Sequence, residues 1–160
     1  MKSKNDEATQ RVLLILKIDA NNLFSRIKDR KSEYLEIFAL RRTRTHFPMI
    51  FKNRYDTTTV GDLAHCSTEL ISSLDQFYNR AEEMSWYLFQ TQDMPSMVEN
   101  FIDRSIRKMS SYLDSLNLYL DSELGIESGE KVVPEHDFLD QLTEPEVFSD
   151  LPFGDTSEES

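Results

Sequence analysis

The stretch from Thr59 to Gln90, TVGDLAHCSTELISSLDQFYNRAEEMSWYLFQ, decides the fold. Val60, Leu63, Ala64, Ser67, Leu70, Ile71, Leu74, Phe77, Tyr78, Ala81, Ser85 and Leu88 recur at steps of three and four, which lays one apolar stripe along a helix of about eight turns. Thr59 with Asp62 three residues on supplies a capping signal and a favourable negative charge in the first turn.

Downstream, Pro95–Leu124 repeats the pattern. Pro95 suits a first helical position, and Met97, Val98, Phe101, Ile102, Ser105, Met109, Tyr112, Leu113, Leu116, Tyr119 and Leu120 share one face. Gly125 followed by Ile126 reads as a left-handed C-terminal cap. Four residues join the two helices, which predicts an antiparallel hairpin.

Upstream, the apolar run Val12 to Ile18 has the composition of a buried strand or helix. Ala20, Leu23, Phe24 and Ile27 on the same helical face favour helix, with a kink expected at Asn21-Asn22. A further helix is predicted over Ser32 to Thr45, and Phe47-Pro48 ends it and opens a short one through Tyr55. The fold class expected is all-α, an up-and-down helical bundle of about four main helices.

After Gly125 the pattern stops. Residues 126 to 160 hold eleven acids against Lys131 alone, a net of -10 out of the chain's -11, and are interrupted by Gly129, Pro134, Pro145, Pro152 and Gly154. The expected organisation is a flexible N-terminus over 1–7, a bundle domain over 8–126 and a disordered acidic tail over 127–160. Within the tail, Phe138, Leu139, Leu142, Phe148, Leu151 and Phe153 form apolar islands that resemble short docking motifs.

No glycine-rich phosphate loop, paired-cysteine metal motif or nucleophile elbow is present in the chain. Asp62, His65 and Glu69 have helical metal-ligand spacing but point away from the apolar stripe, so a solvated face is expected and no metal or cofactor. Cys66 has no cysteine to pair with, and a half-buried structural thiol is expected in place of a Cys-His nucleophile. No signal-like leader opens the chain and no apolar run reaches the roughly 20 residues of a membrane span, which points to a cytoplasmic location.

Two features suggest binding. Arg41, Arg42, Arg44, Lys52 and Arg54, interleaved with Phe47, Phe51 and Tyr55, have the composition of an anion-recognition segment. Met84, Trp86, Tyr87, Leu88 and Phe89 make a girdle, in which Trp86 and Tyr87 fall off the core-facing side. The N-terminal helix is expected to cover that pair; the alternative is an interface.

The function expected is a non-catalytic protein–protein interaction module, an adaptor or regulator using a bundle surface and the tail motifs. Its partner is a protein, with a second copy of the chain and the chain's own tail as further candidates; neither membrane nor nucleic acid is the expected ligand. A nucleic-acid- or nucleotide-associated regulator, its basic 41–54 segment masked by the tail, stands second. A metal- or thiol-dependent bundle enzyme stands third.

Overall fold

A computed structural model describes residues 4–126, so the predicted tail and its motif residues lie outside the described part. Of the described residues 79% are helical and none lies in a strand. Five helices follow in order: α1 (Lys4–Lys28), α2 (Lys31–Ala39), single-turn α3 (Phe47–Ile50), α4 (Thr68–Gln90) and α5 (Pro95–Leu124). The four longest pack as the expected all-α bundle, with α5 touching α1, α2 and α4.

Side-chain pairs give each leg its direction. Lys17 meets Asp121 and Asn21 meets Asn117, so α1 runs antiparallel to α5. Lys31 reaches Asp103 and Glu99, so α2 prolongs the same leg past a turn at Asp29 and Arg30. The chain then returns along α4: Arg44 bonds to carbonyls at the end of α4, and Tyr55 stacks on Tyr78 at 4.5 Å. This descending leg holds α3 and two 3-10 turns, Tyr55–Thr57 and Gly61–Leu63, where a regular bundle would have a second long helix.

Apolar spacing explains what is buried. α1 buries Leu13, Leu16, Ala20, Leu23 and Ile27, at steps of three and four. α4 contributes Leu70, Leu74, Phe77, Ala81, Met84 and Leu88, and α5 contributes Val98, Ile102, Met109, Leu113, Leu116 and Leu120. These make one contiguous cluster, in which each fully buried large side chain stabilises by about 1.5 to 3 kcal/mol. At the α2–α3 corner, Tyr34 meets Phe47 edge-on at 5.6 Å and donates its hydroxyl proton to the Ile27 carbonyl at 3.0 Å.

Several boundaries differ from the sequence reading. The Val12–Ile18 run is helical, and α1 passes through Asn21-Asn22 because the Asn21 amide bonds the Lys17 carbonyl at 2.8 Å and the Asn117 side chain at 3.0 Å. α1 also begins at Lys4, inside the segment expected to be flexible.

α4 starts at Thr68, not Thr59. Ser67 has extended backbone and its Oγ accepts the Leu70 N–H at 3.2 Å. The Thr59–Asp62 pair does form a reciprocal box, with bonds of 2.9 and 3.1 Å, but it closes the 3-10 turn that packs on α1 and leaves Val60 89% exposed.

α2 ends at Ala39, six residues before the expected Thr45. Arg41 enters the left-handed region at φ 54, the Arg42 N–H reaches the Ile37 carbonyl at 2.9 Å and the Arg41 N–H the Phe38 carbonyl at 3.4 Å. α3 stops at Ile50 and does not continue to Tyr55. α5 matches its predicted bounds, closed by Gly125 at φ 77 and the Ile126 N–H to Asp121 carbonyl bond of 2.8 Å. No helix among the described residues is long and apolar enough to cross a membrane.

Candidate interaction surface

The α4–α5 hairpin tip and the segment after α2 meet at one end of the bundle. Arg44 makes the joint. Its guanidinium donates to the carbonyls of Thr91 at 2.6 Å, Leu88 at 3.3 Å and Phe89 at 3.4 Å, and lies 4.2 Å over the Phe38 ring. These are the orphan carbonyls at the C-terminus of α4, where a cation is favoured by unsatisfied acceptors and by the helix dipole. Arg44 is therefore committed to holding the tip.

Beside that joint opens a cleft of about 510 Å³, walled by Arg41, Arg42 and Arg44 on one side and by Gln92, Asp93, Met94 and Pro95 on the other. Ile37 and Phe38 form its apolar floor. Arg42 pairs with Glu36 at 3.7 Å, whereas Arg41 has no ion-pair partner among the described residues. Left-handed backbone costs a non-glycine residue about 1 to 2 kcal/mol, so Arg41 stands, exposed, where glycine would fit at lower cost.

The five basic candidates do not form one patch. Arg41, Arg42 and Arg44 line the cleft, while Lys52 lines a separate hollow of about 240 Å³ with Phe51, Tyr55 and Tyr78. Arg54 is exposed at the cap of a 3-10 turn, its carbonyl accepting the hydroxyls of Thr57 and Thr58.

The aromatic pair also divides. Tyr87 stacks on Phe101 at 3.7 Å and donates its hydroxyl proton to Asp93 at 2.6 Å, with burial first and that carboxylate second pushing its pKa up. Trp86, its neighbour, is 68% exposed. The expected cover does not occur, because α1 packs on α5 and Tyr87 takes its cover from Phe101. Elsewhere in the hairpin, Phe89 is 42% exposed, Met94 67% and Met97 52%. The sequence reading placed Met97 on the core face; the buried stripe of α5 begins at Val98, and Met97, about 100° away on the helix, faces solvent.

The other chemical candidates hold no convergent geometry. Asp62 bonds back to Thr59, His65 and Glu69 are exposed, and a helix break falls between Asp62 and Glu69. Among the described residues no three metal-ligating side chains converge. Cys66 is half-buried, and burial, then Glu123, push its thiol pKa up, opposite to what activates a nucleophile.

Of the three histidines, His46 bonds Glu33 at 2.7 Å at the start of α3, far in chain position from Cys66. That bond first, and Arg30 after it, hold the Glu33 carboxyl below its ordinary range. Phe138, Leu139, Leu142, Phe148, Leu151 and Phe153 lie outside the described residues. No family model, curated protein or solved structure matches the chain.

Proposed function

We propose that the chain is a non-catalytic protein–protein interaction module, an adaptor or regulator, that docks its partner on the α4–α5 hairpin tip. The observation that carries this reading is the exposure of Trp86, the only tryptophan, together with Phe89 three residues on in α4 and with Met94 and Met97 at the start of α5. Tryptophan, other aromatics and methionine are enriched at binding surfaces and dominate their energetics, and leaving them in water has no benefit to the isolated fold. Arg41 supports the same reading, since it sets a cation at the cleft rim in a backbone conformation that costs the fold free energy.

A tip of this kind fits a partner segment in which apolar side chains alternate with acids: rings and thioethers take the apolar part, and Arg41 takes a carboxylate. The acidic 127–160 segment, with its Phe and Leu motifs, provides a second docking element. A reducing cytoplasmic setting suits the single Cys66.

The test is photo-crosslinking from position 86 in the native cell, compared with capture by full-length chain carrying Trp86→Ser and Met94→Ser. The double variant is expected to keep its melting temperature, because both side chains are exposed, and to lose its crosslinked partner. Tyr87 is left intact because it packs on Phe101. Undiminished capture by the folded variant would refute the tip, and capture of only a second copy would assign it to self-association.

A further inference from the structure

We propose that the groove between α4 and α5 at Arg80, Arg104, Arg107 and Lys108 is a recognition site for a phosphorylated peptide segment. It is separate from the hairpin-tip cleft. The groove has a volume of about 350 Å³ and is lined by those four cations with Phe101, Ser105 and Ser111, and by no acid. Arg104, Lys108 and Ser111 follow one another by four and three along one face of α5, and Arg80 closes the groove from α4.

Two features of this groove lack an explanation within the fold. Like charges at i, i+3 and i+4 oppose one another on a helix, yet Arg104, Arg107 and Lys108 have no ion-pair partner among the described residues. Arg80 alone has one, the exposed Glu83 at 3.4 Å. In addition, Ser105 is one of the lining residues, and its buried hydroxyl has no hydrogen-bond partner. A phosphoryl group supplies what is missing: its dianion balances converging guanidinium forks, and an oxygen accepts from the hydroxyl. A buried polar group left unpaired costs free energy that such a bond removes.

The geometry favours a peptide over a nucleic acid. Base binding on a strand requires a free aromatic face, whereas Phe101 has Tyr87 stacked on it at 3.7 Å and the Arg104 guanidinium 5.8 Å from its centroid. The cations also converge on one groove and do not form a track; Arg104 to Ser111 spans only about 10 Å of helix. That length matches one phosphoryl group with its immediate neighbours. The remaining apolar surface at Phe101 accommodates a flanking side chain.

The experiment measures binding of full-length protein to a labelled degenerate nine-residue peptide pool with a fixed central phosphoserine, against the same pool with serine, by anisotropy and amide NMR shifts. The phosphoserine pool is expected to bind at least tenfold more tightly and to move the amides of Arg104 to Lys108. Arg104→Gln with Arg107→Gln, both exposed positions, should abolish that preference without lowering the melting temperature. Ser105→Ala separates recognition from packing: it leaves stability unchanged or raised, but weakens the phosphoserine pool severalfold. Equal binding of the two pools overturns the proposal, as does a preference that survives the double variant. Inorganic phosphate matching the phosphopeptide in shifts and affinity would mean an adventitious ion only, and a 20-nucleotide single strand that binds more tightly than the peptide would make the groove a nucleic-acid site; either result overturns the assignment.

Discussion

Helix α5 meets α1 and α4 along two seams of different chemistry. Against α1 it sets Asp121 and Asn117, which pair with Lys17 and Asn21 one turn apart on each helix; Lys17 and Asp121 are both buried. Against α4 it sets Phe101 under Tyr87, and the buried side chains of the two helices are mostly aliphatic or aromatic. An apolar seam rewards any close approach, because burial is non-directional. A polar seam rewards one register: a shift of one turn would leave an ammonium and a carboxylate buried without partners. The bundle therefore obtains its burial from both seams and the register of α1 on α5 from one.

The largest effect expected is at the polar seam. Asp121→Ala leaves the Lys17 ammonium uncompensated and should lower unfolding free energy by about 3 to 5 kcal/mol, measured by urea denaturation. Lys17→Met together with Asp121→Leu should recover most of it. A single-variant cost under about 1 kcal/mol would show that the pair is solvated in practice, and the contrast between seams would break.

On α4 the sign should reverse. Ser73 is buried with no partner for its hydroxyl, so Ser73→Ala is expected to raise stability by about 1 kcal/mol, read from the same urea midpoint. A loss would mean that the hydroxyl is satisfied in solution and that this helix is less purely apolar than its packing indicates.

The half-buried Glu33 cluster provides the low end of the scale. Its carboxyl accepts from Arg30 at 3.0 Å and bonds His46 at 2.7 Å, and both side chains of the His46–Glu33 pair remain partly in water. Because the folded state holds the Glu33 pKa below its ordinary 4.5, its contribution is present above about pH 4.5 and is lost as pH falls through the lower folded value. Glu33→Gln should flatten that acid limb in a pH series of thermal melts, with a change under about 1 kcal/mol at neutral pH. A steeper dependence in the variant than in the parent would reverse the assignment.

Legibility in the sequence followed the range of the interactions. Pro95 and Gly125 bracket α5 because a missing N–H and a positive φ are properties of single residues, and the predicted bounds match. The start of α4 was harder. Thr59–Asp62 and Ser67 are both valid local caps, and packing of the Gly61–Leu63 turn on α1 separates the first from the helix. At the tip, Trp86 and Tyr87 both lie off the stripe but about 100° apart on the helix, and the sequence reading assigns them to one surface. Asp93 and Phe101, six and fourteen residues away, turn Tyr87 inward, and no periodicity records that.

The basic residues show the same limit. Composition identified Arg41, Arg42, Arg44, Lys52 and Arg54 as a run, while the return leg separates Lys52 from the cleft and commits Arg44 to the end of α4. The α4–α5 groove was not visible as a site at all, since Arg80 and Arg107 meet only through the hairpin and each alone reads as a solvated charge.

By itself the sequence determined the all-α class, the bounds of α5, the hairpin of α4 with α5 and the division of charge, because spacing, caps and composition are local and act through neighbours within a turn or two. Tertiary structure alone decided that Lys17 reaches Asp121 across 104 positions, which exposed rings remain exposed, and which arginines stay unpaired. Those outcomes depend on the register and direction of whole legs, and they are set by burial and charge pairing summed over distant segments.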